Sequence, residues 1–237
     1  MPYTVRISDR LRKIADMVEF GSDIIDVGTD HAYLPAYLIQ KGIAKSVKAS
    51  DLRPGPLRKA ELTVRKFGLG GALSLHLCPG LSGFTAEDAD TVIIAGMGGE
   101  TIAGILSEAE WTKDGRHRLI LQPMTSNEDL RDFLFDNGYI LRNEVLVKDA
   151  GKLYTILDAA GGDKENVKYA PFERYASRSL LKEELAGEYL DILAGRLKKK
   201  RDGIMSSGSS DRTEISLTDE TINGILELKE EWKKCRQ

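Results

Sequence analysis

At 237 residues, with 41% hydrophobic and 30% charged side chains, the chain suits one large domain, or a domain of about 160 residues with an appendage, built around a real core. Its formal net charge of −3 speaks against indiscriminate nucleic-acid binding, which usually accompanies a basic excess. No apolar stretch approaches the roughly 20 residues that span a bilayer, and no signal-peptide run opens the chain, so a cytoplasmic protein away from membranes is expected. Cys78 and Cys235 lie far apart in sequence, and His31, His76 and His117 lack ligand spacing, so neither a disulfide framework nor a bound metal is expected.

Residues 8–20 follow Ile7 with Leu11, Ile14, Ala15 and Val18 at intervals of three and four, one apolar helix face with Ser8 as N-cap. Arg10 on this helix either reaches a ligand carboxylate or stays solvated. The next stretch organises the chain. Ile24, Ile25 and Val27, punctuated by Asp26 and closed by Gly28, read as a buried strand turning into a helix over residues 33–41, the place where α/β sheets bind nucleotides. A pyrophosphate wants a glycine-rich turn of backbone N–H groups. This turn has one glycine followed by Asp30 and His31, and Asp30 would repel phosphate. It suits an adenosine-bearing ligand with a cationic end, as in S-adenosylmethionine; the plainer alternative is that Asp30 caps the helix.

Residues 46–51 form a second strand ending in Asp51, at about the interval where such folds place an acid on ribose hydroxyls, with Leu52 beside it. Asp51 could instead cap the helix predicted over 57–67. A third strand, 72–77, runs toward Gly80 and Leu81, and a fourth, 90–95, is apolar throughout and therefore covered on both faces. It ends at Ala95, Gly96, Met97, Gly98 and Gly99, which either let backbone approach a ligand or permit tight packing of the helix over 100–106. Residues 118–122 make a fifth strand stopped by Pro123, and 128–135 a helix. Runs at 139–147 and 153–159 are joined too briefly for a parallel crossover, so they must pair antiparallel.

Beyond Gly162 the composition turns to long charged helices over 173–205 and 219–234, joined by the polar stretch 206–210 and able to bury their stripes on each other. The expected division is a cofactor-binding domain over 1–161 and an α-helical domain over 162–237. Arg196, Lys198, Lys199, Lys200 and Arg201 either track RNA phosphates or form a solvated face neutralised by Glu183, Glu184 and Glu188.

With Ser8-Asp9-Arg10-Leu11, the turn from Asp26 to Pro35, Ile94-Ala95-Gly96-Met97-Gly98-Gly99, Leu119 to Pro123 and Gly151-Lys152-Leu153-Tyr154 in view, the chain resembles the bacterial tRNA (adenine-22-N1)-methyltransferase family over about residues 6–160. The resemblance implies an α/β fold: a Rossmann-like class I methyltransferase sheet of parallel strands ending in an antiparallel hairpin, with a C-terminal helical appendage. It implies S-adenosylmethionine as methyl donor and adenine N1 in tRNA as acceptor, with a cofactor site of Arg10, Asp26, Gly28, Asp30, His31, Asp51, Leu52, Gly80, Leu81, Ala95, Gly96, Met97 and Gly98. Asp30, Gln122 and Tyr154 are then the expected catalytic residues: Asp30 for the developing positive charge, Gln122 for the adenine edge and Tyr154 for stacking, unless Tyr154 is core. Pro79 stands where the family often has Asn or Asp, leaving the cofactor's adenine to backbone around Gly80 and Leu81; Met124 replaces an Asn common after Gln-Pro. A small-molecule methyltransferase and a non-catalytic RNA-binding module are the alternatives.

Overall fold

A computed structural model of the chain describes residues 4–162, 169–206 and 212–236. It divides into two compact units, one of Met1–Arg142 with Val147–Lys164, the other of Asn143–Leu146 with Glu165–Gln237.

The first unit alternates α1 (Asp9–Met17), β1 (Ser22–Val27), α2 (Tyr33–Gln40), β2 (Ala44–Asp51), α3 (Pro54–Phe67), β3 (Leu73–Leu77), β4 (Thr91–Gly98), α4 (Gly99–Ser107), β5 (Arg118–Thr125) and α5 (Asn127–Asp136). The sheet is closed on one side by β6 (Tyr139–Asp149) and β7 (Lys152–Gly161), giving the strand order β3-β2-β1-β4-β5-β7-β6. β1 to β5 pair in parallel and β7 lies antiparallel to β5. The parallel strands are apolar because helices cover them: Ile24, Ile25, Val92, Ile93, Ile94, Leu119, Ile120 and Leu121 are fully buried. Strand order reverses between β1 and β4, so the crevice beyond their C-terminal ends is where the topology leaves room for a ligand.

Local chemistry sets the helix ends. The Ser8 hydroxyl accepts from the Leu11 N–H at the start of α1, Pro54 opens α3 where an N–H is dispensable, and Gly68 closes it with φ of 66°. Pro123 does not stop β5, contrary to expectation. The β4–β5 register shifts on either side of Met97, which pairs with Pro123, and at such an irregularity a residue without an N–H is tolerated.

The second unit departs further from the pattern. In place of one helix over 173–205 there are two 3-10 turns, Pro171–Arg174 and Arg178–Lys182, and then α6 (Ala186–Ser206). The interruption has a cause in hydrogen bonding. Ser179 and Glu183 side chains accept from the Glu144 and Leu146 N–H groups at 2.9 and 3.2 Å, while the buried Glu144 carboxylate accepts from Ser177 N–H at 2.8 Å. A continuous helix would withdraw those partners. α7 (Arg212–Lys234) starts earlier than expected and runs antiparallel to α6. The register shows in Trp232 against Gly187, Lys229 bonded to Asp191, and Arg201 bonded to Asp219 at 3.1 Å. The expected connection at 206–210 lies, from 207 onward, outside the described residues.

Candidate active site

The turn after β1 is built by backbone that few residues tolerate. Gly28 has φ of 78°, Asp30 42° and Ala32 54°, and the N–H groups of Gly28 and Thr29 both donate to the Ser50 carbonyl at 2.8 and 3.0 Å, tying the turn to the end of β2. Ala32 occupies the N-cap position of α2 with no side-chain cap. Asp30 therefore does not cap this helix; its carboxylate is exposed, 3.8 Å from Lys59 Nζ and 3.4 Å from His31 Nε2.

Within the turn lies a cavity of about 290 Å³. Of the residues expected from sequence, Arg10, Asp26, Gly28, Asp30, His31, Ala95 and Gly96 line it. Leu11, Thr29, Tyr33 and Leu34 line it too; all four lie inside the motifs that carry the resemblance, but none is among the site residues expected from sequence. Tyr33 stacks on His31 with ring centroids 5.1 Å apart and planes 2° from parallel.

Charge is arranged in this cavity with both signs. Arg10 supplies a cation from α1 and Asp26 a buried carboxylate from β1. Burial pushes the Asp26 carboxyl up to about 6 from 3.8, with the Thr29 hydroxyl pulling the other way. Asp26 is thus a charge in want of a partner.

Arg10 is held from the far side of the sheet centre. Its guanidinium donates to Gln122 Oε1, which also accepts from the Gly96 N–H at 3.1 Å, and its Cζ stands 5.8 Å from the Tyr154 ring centroid. Gln122 Nε2 donates to the Pro123 carbonyl at 2.7 Å and reaches Met124 Sδ at 3.6 Å. Gln122 is wholly buried with both ends of its amide committed, so in this arrangement it offers no free edge to the base it was expected to meet.

The glycines after β4 divide their tasks. Gly96 needs its φ of 79° and faces the Arg10 guanidinium, whereas a Cβ on Gly99 would stand 2.0 Å from the Ser126 carbonyl oxygen. Ligand approach and tight packing are both present, at different positions. Met97 reaches back so that its Cε would meet a Cβ on Gly28 at 2.1 Å, and Gly98 lies beside Thr125.

The remaining expected residues lie outside the cavity lining. Asp51 ends β2, buried, with Oδ1 accepting from the Arg53 N–H at 2.8 Å and Oδ2 without a hydrogen-bond partner among the described residues. Leu52 is exposed, Leu81 belongs to the core, and Gly80, with φ of 52°, presents its carbonyl 3.5 Å from Ser50 Oγ. In the second unit, Lys200 pairs with Glu214 at 3.1 Å, Arg201 with Asp219 and Asp202, and Arg196 lies over Tyr175. Glu214, Asp219 and Asp202 thus pair with the C-terminal end of the basic run, beyond the acids expected from sequence, while Lys198 and Lys199 stay exposed without a partner among the described residues.

A family model described as a methyltransferase domain matches residues 7–157. The tRNA (adenine(22)-N(1))-methyltransferase of Bacillus subtilis strain 168 is 36% identical over 161 residues, 68% of this chain and 68% of that protein. The crystal structure of the B. subtilis m1A22 tRNA methyltransferase superposes with a TM-score of 0.76 at 27% identity, covering 98% of this chain and 100% of that one. A candidate tRNA (m1A22) methyltransferase from Streptococcus pneumoniae, solved in complex with S-adenosyl-L-methionine, superposes with a TM-score of 0.74 at 32% identity, covering 94% and 100%.

Proposed function

This chain belongs to the bacterial tRNA (adenine-22-N1)-methyltransferase family, and from that premise we propose that it transfers a methyl group from S-adenosylmethionine to N1 of adenine 22 in tRNA. The observation that carries the reading is the charge of the cavity after β1, where one cation, Arg10, and two carboxylates, Asp26 and Asp30, face a turn with a single glycine.

The residues fit this cofactor. Arg10 would take the carboxylate of its methionine part, and Asp26 and Asp30 would meet its positive charges. The free Asp51 Oδ2 suits ribose hydroxyls, with backbone near Gly80 and Leu81 for the adenine. Ala95 and Gly96 line this pocket, and Met97 and Gly98 follow them to the start of α4, the edge at which the acceptor base would arrive. When bound, S-adenosylmethionine supplies an electrophilic methyl group on a sulfonium.

Adenine N1 carries an in-plane lone pair at neutral pH, so the chain needs no general base. Its contribution is positioning, which supplies on the order of 7–11 kcal/mol in favourable cases. Gln122 fixes Arg10 and the Gly96 backbone in one arrangement, Tyr154 offers a ring for the extruded base, and the carboxylate of Asp30 favours the cationic product. The unit of residues 1–142 and 147–164 would then carry catalysis, and on α6 of the other unit Lys198 and Lys199 are the cations left to meet RNA. No helix among the described residues is long and apolar enough to cross a membrane; it is the tRNA substrate that would place the protein in the cytoplasm.

Incubating the protein with unmodified tRNA and radiolabelled cofactor, then digesting the RNA, tests the reading. N1-methyladenosine at position 22 is the expected product. Label in a small molecule but not in tRNA, or cofactor and RNA binding without turnover, would overturn it.

A further inference from the structure

A second cavity, about 500 Å³, adjoins the first and shares its His31 and Tyr33 walls. Its other sides are the entering chain at Thr4, Val5 and Arg6 and the face of α3 that carries Lys59, Leu62, Thr63 and Lys66, spaced at i, i+3, i+4 and i+7. The entering chain is anchored: Val5 is buried and its N–H donates to Gln40 Oε1 at 2.8 Å.

Three features set this groove apart from ordinary surface. Its lining holds three cations, Arg6, Lys59 and Lys66, and no carboxylate. The nearest acid contact is Asp30, 3.8 Å from Lys59 and exposed. The groove also displays apolar and aromatic surface that a folded monomer normally covers, with Leu62 66% and Tyr33 45% exposed. Tyr33 is backed face to face by His31, so a further planar ring laid on its open face would extend an existing stack. Cations for a backbone beside a ring for a base are the chemistry of single-stranded nucleic acid recognition.

We propose that this groove holds the RNA strand next to the methylated nucleotide, with phosphates on Arg6, Lys59 and Lys66 and a neighbouring base stacked on Tyr33. The inference rests on the tRNA reading above and adds where the strand runs. A base that leaves its helix to meet the methyl group held in the first cavity drags its flanking phosphodiesters past the shared His31–Tyr33 wall, and the groove beyond that wall is the positively charged exit. Lys59 also exchanges partners in this arrangement: a phosphate drawn to its ammonium frees Asp30 to face the positive charge of the first cavity.

The test is the salt dependence of tRNA binding, measured by filter retention from 50 to 200 mM salt on the full chain. A triple variant, Arg6→Gln, Lys59→Gln and Lys66→Gln, removes three contacts, so the slope of log K against log salt should fall by about 2, at roughly 0.7 per phosphate on a single strand. A triple variant of equal charge outside the groove, Lys45→Gln, Arg65→Gln and Arg116→Gln, should keep most of the slope. Cofactor affinity, by calorimetry, should not fall in either; loss of the Lys59 ammonium beside the exposed Asp30 can only favour a cationic ligand. An unchanged slope in the groove variant, or equal loss in both variants, overturns the proposal. Because binding is read without turnover, a reduced slope in a protein that transfers no methyl to tRNA would uphold the groove while sinking the proposed reaction.

Discussion

Asp26 offers the sharpest quantitative test. It is 5% exposed, its carboxyl is pushed up to about 6 from 3.8, and it lines the proposed methyl-donor pocket. A bound cation beside it restores the ionised form, so cofactor binding should expel a proton whenever Asp26 starts out protonated. The gap of about 2 pH units corresponds to about 3 kcal/mol of coupling if the cofactor returns the group to its ordinary range. The sign follows from linkage: affinity is lowest where Asp26 is protonated, climbs as pH rises toward 6, and levels off above it. Between pH 5 and pH 7 the dissociation constant should fall by about tenfold, and at pH 6 about half a proton should be released per cofactor bound. Stopping at pH 7 avoids titrating the ligand's own α-amino group, near 7.7–8.0 in model compounds. Calorimetry in two buffers of different ionisation enthalpy measures both quantities. Asp26→Asn should abolish the proton release and flatten the profile. In the free protein the same linkage runs against the fold: the raised carboxyl favours folding below its unfolded value near 3.8, and that contribution is lost as pH rises through about 6, so Asp26→Asn should also remove a pH-dependent loss of stability over that window. A flat wild-type affinity profile with no proton release would refute the reasoning.

Gln122→Ala should weaken cofactor binding as well as methyl transfer, because it frees Arg10 and strands the Gly96 N–H, with about 1–3 kcal/mol lost in chemical denaturation; unchanged cofactor affinity by calorimetry would return Gln122 to a role at the base. Gly99→Ala should cost roughly 1–3 kcal/mol because its Cβ would collide with the Ser126 carbonyl, whereas Gly104→Ala on the same helix, with nothing within 4 Å, should stabilise by about 0.4–1 kcal/mol; thermal unfolding separates them, and equal effects would count against the packing argument. Lys198→Gln with Lys199→Gln should lower the salt slope of tRNA binding by about 1.5 if the second unit touches RNA, and leave it unaltered if this is only a solvated face.

Much of the first unit was legible because its signals are local. The apolar runs of β1, β4 and β5, the Ser8 cap, the glycine stop of α3 and the short link before β7 each announce themselves within a few residues. The turn after β1 was legible for the same reason, since Gly28, Asp30 and His31 are contiguous. What escaped was long-range. Arg10 and Gln122 are 112 positions apart, and no periodicity reveals that one side chain's amide is spent on holding the other's guanidinium. Residues 173–185 carry spacing that passes for a helix, and the demand of the Glu144 and Leu146 N–H groups for side-chain acceptors, more than 30 positions away, breaks it. Pro123 misled in the opposite sense: a local stop signal was overridden by an irregular register that exists only once β4 is alongside.

Conservation of charge ties the pocket to the reaction. Methyl transfer to adenine N1 moves one positive charge from sulfur to the base without creating or destroying any, so carboxylates that face the first position remain favourable at the second if both positions lie within their field. A unit charge 4 Å away is worth about 4 kcal/mol at an effective dielectric of 20 and about 1 kcal/mol in water, so the buried Asp26 feels this transfer far more than the exposed Asp30 does. The same arithmetic explains why the turn needs only one glycine. A diphosphate in this place would set two like charges against Asp26, and the Gly28 and Thr29 N–H groups could not offset them, because both already donate to Ser50. In the proposed site, selectivity for a cationic donor would therefore rest on the backbone hydrogen bonds of the turn as well as on its carboxylates.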